Sequence, residues 1–259
     1  MNCKICSSDA KLIFKTMVLK KYDVAYYQCT NCEFIQTEDP YWLSEAYENA
    51  ITNLDIGLTG RNVYQSTIAS NLISKYFNGE GRFVDYGGGY GMFVRLMRDN
   101  GFDYYLQDQY CANLFAKHFG VEDIEKQSFE LLTAFEVFEH LENPVVELEK
   151  MLKLSENIYF STELQPSGFL NPDTWWYFIP NTGQHIALYS YKSLELLGKS
   201  YGLKYYNNGS LHLFTKKPIN PYLFKIVTNS RYQSLFRKIY RRPSLLESDF
   251  QKMKSLYDK

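Results

Sequence analysis

Four of the chain's five cysteines fall into two pairs, Cys3-x-x-Cys6 and Cys29-x-x-Cys32. Two such turns can surround one zinc ion tetrahedrally, with each sulfur at about 2.3 Å. Four thiolates leave no open coordination position, so an ion held by Cys3, Cys6, Cys29 and Cys32 stabilises the fold rather than doing chemistry. A redox motif needs only one pair, which makes structural zinc the expectation. Cys111 stands alone and is expected to be a small buried residue. A second pattern is "FVDYGGGYGMF", residues 83 to 93, in which Asp85 precedes the run Gly87-Gly88-Gly89 and then Gly91. Glycine at this density allows a tight turn and lets a ligand approach backbone that a side chain would cover. Asp108 follows 21 residues after Gly87, where an acid can accept hydrogen bonds from ribose hydroxyls. Dinucleotide binding uses a similar layout, but the third position of that glycine fingerprint is Met92 here, and bulky Met92 and Phe93 suit a pyrophosphate poorly.

These residues need elements to hold them. "AKLIFKT" and "VAYYQC" read as short strands linking the cysteine turns. Residues 61 to 77 put Ile68, Leu72, Ile73, Tyr76 and Phe77 on one helical face. "RFVDY" then has the pattern of a buried strand, "GGGYG" of a turn, and "MFVRLMRDNG" of an amphipathic helix ended by Gly101. A further strand, "DYYLQD", follows directly. Strand, turn, helix, strand is a βαβ unit, which predicts an α/β fold with a doubly wound, mainly parallel sheet. Of the four histidines, His118 is expected on a surface helix, while His212 alternates with Leu211 and Leu213 in a strand. His185 follows "NPDTWWYFIPNTGQ", where Trp175, Trp176 and Tyr177 can wall an acceptor. An imidazole that titrates near pH 6.5 can take a proton at neutral pH, so His185 is the candidate base.

Three stretches together resemble the class I S-adenosylmethionine-dependent methyltransferases. They are "VDYGGGYGMF" with "LQDQY", then "FELLTAFEVFEHLENPVVELEKML", and then "GQHIALYSYKSLELLGKSYGLKYY". The Glu139-His140-x-x-x-Pro144 turn and the cysteine ribbon are similar to a subgroup that includes the sugar C-methyltransferases. The resemblance spans roughly residues 1 to 215 and implies a Rossmann-like methyltransferase fold binding S-adenosylmethionine. It implies cofactor contacts at Asp85, Gly87, Gly88, Gly89, Phe93, Asp108, Gln109, Phe135, Glu136 and His140. His185 would be the base, with Trp175, Trp176, Tyr177 and Gln184 on the acceptor. The subgroup tends to have Glu-His where this chain has Gln184-His185, and a long C-terminal domain where only about 40 residues follow here. Both departures argue against carbanion chemistry at a ketosugar carbon and leave O-methylation of a saccharide or sugar-nucleotide hydroxyl in glycan biosynthesis as the expectation, with C- or N-methylation of a sugar as the alternative. An oxidoreductase of similar topology and a non-catalytic scaffold are the rival classes.

The resulting division is a zinc ribbon over residues 1–45, a methyltransferase domain over 46–218 and a basic helical tail over 219–259. The tail holds nine Lys and Arg against three acids, a net +6 that leaves −7 elsewhere in a chain of formal net charge −1. Its two expected helices suit an anionic membrane surface, a carrier lipid, the core or a dimer contact. The acidic remainder argues against nucleic acid. Absence of a signal-peptide pattern and of a long apolar run makes the cytoplasm, including the inner membrane face, the expected location. Oligomeric state stays open.

Overall fold

The computed structural model describes residues 1–48, 52, 54–125, 128–168 and 170–258. Among them the chain forms two sheets, one of four and one of six strands. Contacts divide it into two compact units.

The first unit holds residues 1–54, 134–153 and 157–218. Strands β1 (Ala10–Val18) and β2 (Tyr22–Cys29) form an antiparallel hairpin. Its turn places Leu19 and Lys20 at φ 53° and 57°. Two successive left-handed residues are the backbone of a hairpin turn whose twist matches the strands. Strand β3 (Ile35–Thr37) adds to β2, and β8 (Ala187–Leu188), from far along the chain, adds to β3. Between β3 and β8 in sequence runs the short helix α1 (Leu43–Ala46). One apolar cluster joins Val24, Tyr26, Ile35 and Trp42 of the ribbon region to Trp175, Tyr177, Phe178 and Leu188. The ribbon therefore packs against the loop that carries His185.

The second unit holds residues 55–133, 154–156 and 219–259. Helix α2 (Leu58–Tyr76) buries Ile68, Ala69, Leu72 and Ile73, as the helical spacing predicts. Strand β4 (Arg82–Tyr86) leads through the glycines into α3 (Met92–Asp99), and β5 (Asp103–Gln107) returns parallel to β4. Strand β6 (Leu131–Ala134) pairs parallel on β4's other side. Gly101, at φ 86°, ends the helix in the left-handed conformation that only glycine adopts without cost.

Helix α4 (Pro144–Leu154), strand β7 (Ile158–Ser161), helix α5 (Tyr191–Ser200) and strands β9 (Lys204–Asn208) and β10 (Leu211–Thr215) complete the sheet region. The six-stranded sheet runs β5-β4-β6-β7-β10-β9, with β10 antiparallel to both neighbours. This mixed, mainly parallel sheet with intervening helices is the Rossmann-like arrangement expected. The tail forms three helices rather than two, α6 (Pro221–Val227), α7 (Gln233–Ile239) and α8 (Leu246–Tyr257). The break after α6 has a local cause: Asn229 accepts a hydrogen bond from the Arg231 amide at 2.9 Å and starts a separate turn. His118 lies in a turn at φ 65° rather than on a helix. Among the described residues no helix is long and apolar enough to cross a membrane.

Candidate functional site

Three groups of side chains in the two units carry chemistry. The first is the cysteine set. All four sulfurs lie within 4.8 Å of one another. Cys3 and Cys32 approach to 3.5 Å, as do Cys6 and Cys29. Sulfurs placed tetrahedrally at about 2.3 Å from one ion are roughly 3.8 Å apart, so the set fits zinc. The two turns are built alike. Cys3 N–H donates to Ser8 O and Cys29 N–H to Phe34 O, each at 2.9 Å, while Ser7 and Glu33 both take positive φ. Amides also point at sulfur, Ile5 N to Cys3 and Asn31 N to Cys29, both at 3.4 Å. Such donors stabilise thiolate charge. Cys111 is half-buried rather than buried.

The second group is the glycine turn after β4. Gly87, Gly89 and Gly91 have φ 68°, 57° and 83°. Gly88 is required for space instead: a Cβ there would lie 2.2 Å from Asp85 Oδ2. Asp108 clamps the turn. Its Oδ2 accepts from Gly89 N at 2.9 Å, and its Oδ1 accepts from Tyr110 N and Cys111 N at 2.8 and 2.7 Å. A carboxylate offers about four acceptor positions, so about one remains for a ligand hydroxyl. Asp85 is fully buried and accepts from Thr133 Oγ1 at 2.7 Å. Burial raises its pKa to about 7, the Thr133 hydrogen bond opposes this, and the Asp108 charge adds to it. A partly exposed backbone turn beside a partly free carboxylate fits the ribose end of a nucleoside cofactor. Gln109 is exposed nearby, whereas Phe93 is buried against Tyr104, with ring centroids 5.5 Å apart.

The third group lies in the first unit, after β6 and before β8. Glu136 sits at φ 55°, its amide donating to Ser161 Oγ at 2.9 Å and its Oε1 accepting from the same hydroxyl at 2.6 Å. That ring of bonds holds a left-handed glutamate where only glycine is at ease. Phe135 packs edge-on against Tyr159, at 5.5 Å between centroids. His140 and His185 face each other edge to face, with centroids 5.0 Å apart. His140 Nδ1 lies 3.1 Å from Gln184 O and His185 Nδ1 lies 2.6 Å from Tyr177 O. A carbonyl only accepts, so each Nδ1 carries the hydrogen and each Nε2 a lone pair. Burial lowers His140 to about 4, opposed by the Gln184 carbonyl; burial, then the His140 charge, lower His185 to about 3. Both rings are therefore neutral at physiological pH. Glu139 is wholly buried, and burial followed by the Glu136 charge raises it to about 8.

Backbone bonds fix this group. Ile186 N donates to Glu139 O at 3.0 Å, and the Tyr189 hydroxyl donates to Phe138 O at 2.9 Å. Gln184 spends its Nε2 on Ala46 O at 2.8 Å. Of the aromatic trio, Trp175 and Tyr177 are buried in the core and Trp176 is 68% exposed. The sequence flags Glu139 and His140 together, for a cofactor contact at His140 or for capping and packing of the next helix. The structure brings both together with His185. Thr133 and Ser161, strand-end hydroxyls bonded to Asp85 and Glu136, carried no sequence signal beyond their position.

The chain is similar to several solved structures. A methyltransferase of calicheamicin biosynthesis, solved with S-adenosylhomocysteine, matches with 14% identity and a TM-score of 0.46, covering 69% of this chain and 60% of that one. The plantazolicin methyltransferase, also with S-adenosylhomocysteine, matches with 13% identity and a TM-score of 0.48 over 76% and 87%. A Thermotoga maritima protein described as a possible histamine N-methyltransferase matches with 16% identity and a TM-score of 0.44 over 69% and 98%. The chain thus spans three fifths of the calicheamicin enzyme's length. No curated protein matches it. The family model described as a methyltransferase domain matches residues 61–208, well over half of the 259 residues. That stretch runs from α2 through the clamped glycine turn to β9, and the chain belongs to the methyltransferase-domain family.

Proposed function

We propose that this methyltransferase takes its methyl group from S-adenosylmethionine and passes it to a hydroxyl of a saccharide or sugar nucleotide. The observation that carries the reading is the Gly87–Gly91 turn clamped by Asp108, a backbone cradle beside a carboxylate with about one acceptor position left. Bound S-adenosylmethionine supplies an electrophilic methyl group on a sulfonium, and its displacement leaves S-adenosylhomocysteine. The chain's part is to bind, align and manage one proton. Asp108 takes a ribose hydroxyl, Gln109 meets the adenine, and Phe135, Glu136 and His140 serve the methionine end. His185, neutral with its Nε2 lone pair bare, accepts the hydroxyl proton. Exposed Trp176 offers a flat apolar face of the kind that stacks on the C–H face of a sugar ring.

The ribbon over residues 1–45 is read as a zinc site that stiffens the loop of residues 170–188, against which it packs. The core spans 46–218, and the basic tail over 219–259 contacts an anionic surface such as a membrane or a carrier-lipid phosphate. Calorimetric titration with S-adenosylhomocysteine tests the cofactor part. Micromolar binding by the parent and loss in Asp108→Ala are expected; no binding by folded parent protein refutes it. His185→Ala should then bind S-adenosylhomocysteine normally while methyl transfer to saccharide acceptors falls by at least ~100-fold.

A further inference from the structure

Glu139 is a buried acid in the first unit. A buried carboxylate needs a partner or a neutralising charge. Glu139 is 0% exposed, and neither of its oxygens accepts a hydrogen bond among the described residues. The Thr162 and Tyr177 hydroxyls, 3.4 Å apart, lie close enough to ease its charge. His140 and His185 stand beside it, and one ligand atom from each of the three residues lies within 4.8 Å of the other two. Both imidazoles are prepared in the same way. Each commits Nδ1–H to a backbone carbonyl, Gln184 O or Tyr177 O, and leaves Nε2 bare. A ring nitrogen freed by a carbonyl bond on the other nitrogen is the outer-shell arrangement that orients metal-binding histidines.

We infer that Glu139, His140 and His185 form a binding site for a divalent transition-metal ion, separate from the four-cysteine site. Two imidazoles and a carboxylate, with no sulfur, suit Mn2+, Fe2+, Ni2+ or Zn2+. Donors at about 2.1 Å from one ion lie roughly 3 to 4.2 Å apart, so the observed cluster closes with shifts under about 1 Å. Three protein ligands leave positions open for oxygen donors such as the hydroxyls of a polyol acceptor. An ion there would also favour the charged form of the buried Glu139 carboxyl, which would give up its proton on binding. This rests on the acceptor-side placement of His185 but changes the chemistry there. With both Nε2 atoms on the ion, His185 would not itself take the hydroxyl proton and His140 would not touch the methionine end. The ion would instead lower the pKa of a bound acceptor hydroxyl.

The test uses full-length protein washed with chelator until one zinc per chain remains, the amount a closed thiolate site retains. Mn2+ is titrated in, with no cofactor or acceptor present, and free ion is counted by electron paramagnetic resonance. Thiolates bind Mn2+ poorly, so the ribbon does not contribute. One Mn2+ per chain is expected, with affinity weakened ~10-fold or more in Glu139→Gln and in His185→Gln. Thermal melts confirm that both variants fold. Absence of saturable Mn2+ binding by the folded parent overturns the assignment, as does binding unchanged in both variants. Either result leaves the methyl-transfer reading standing, because that reading fails only in the S-adenosylhomocysteine titration.

Discussion

Asp85 shows how one residue can serve a site at a cost to the fold. Its carboxyl is buried beneath the glycine turn, held by Thr133, and raised to about 7. In the unfolded chain the same group titrates near 3.9. Between these values the native state holds a proton that the unfolded state has lost. The stabilisation is therefore fully present below about pH 4 and is lost as pH rises through about 7, amounting to a few kcal/mol. Asp85→Asn, which can still accept from Thr133, should flatten the urea-denaturation stability between pH 4 and 7 relative to the parent. A variant with the parent's slope across that window would show that Asp85 does not titrate there. The identity of Asp85, Asp108 and the glycines was legible from type and spacing. The charge state of Asp85 was not, because burial depends on strands β5 and β6, which reach it from 20 and more residues away.

At the scale of elements, two glycines of similar sequence standing have opposite roles. At Gly88 a Cβ would lie 2.2 Å from Asp85 Oδ2 and 2.7 Å from Leu106 Cδ1. Gly88→Ala should therefore cost roughly 1–3 kcal/mol and weaken S-adenosylhomocysteine binding. Gly60, in the first turns of α2, has nothing within 4 Å of such an atom. Gly60→Ala should raise stability by up to about 1 kcal/mol, from lost backbone entropy in the unfolded chain. Chemical denaturation of the pair checks both signs. The ribbon carries the other element-scale prediction. Cys32 O accepts from Ser190 Oγ at 2.7 Å, and β3 pairs with β8, two residues beyond His185. Cys29→Ser should lower zinc from one per chain toward none by elemental analysis. It should also reduce turnover more than S-adenosylhomocysteine affinity, since the glycine cradle comes from residues 85–108. Full zinc retention would remove the four-cysteine assignment.

The whole chain shows how the tail is used. Arg98, on α3, donates from Nε and Nη2 to the two oxygens of Asp249 on α8, at 2.8 and 2.7 Å. Arg98 Nη1 reaches Asp103 at 2.6 Å, and its guanidinium lies 3.9 Å from the Phe119 ring centroid. Arg98 and Asp249 are each 5% exposed. Asp249→Ala removes both of these charge-assisted bonds but leaves Arg98 paired with Asp103, so it should cost about 1.5–3 kcal/mol, read as a lowered melting temperature. A shift under about 0.5 kcal/mol would mean that α8 is not docked in solution. The first part of the tail has a different surface. Tyr222, Ile226 and Ile239 are exposed on α6 and α7, as is the cation Lys225. Co-sedimentation with anionic vesicles, lost at high salt, would support the anionic-surface reading; none with any vesicle would remove it.

The sequence by itself determined what local pattern and residue type can determine. The paired Cys-x-x-Cys turns specify a four-thiolate set, because each turn is local and its chemistry is closed. The strand–glycine–helix–strand order specifies a parallel sheet with a backbone cradle at its edge, because hydrophobic period and glycine φ are local constraints. Tertiary structure decided everything that joins distant segments. It paired β8 with the ribbon, put Trp175 and Tyr177 in the core, and left Trp176 outside. It also brought His185 to the adjacent pair Glu139-His140, 45 residues earlier in the chain, and turned the Nδ1 of both histidines to backbone carbonyls. Spacing could flag those residues singly. Only burial and two backbone carbonyls set their protonation and the direction of the two rings.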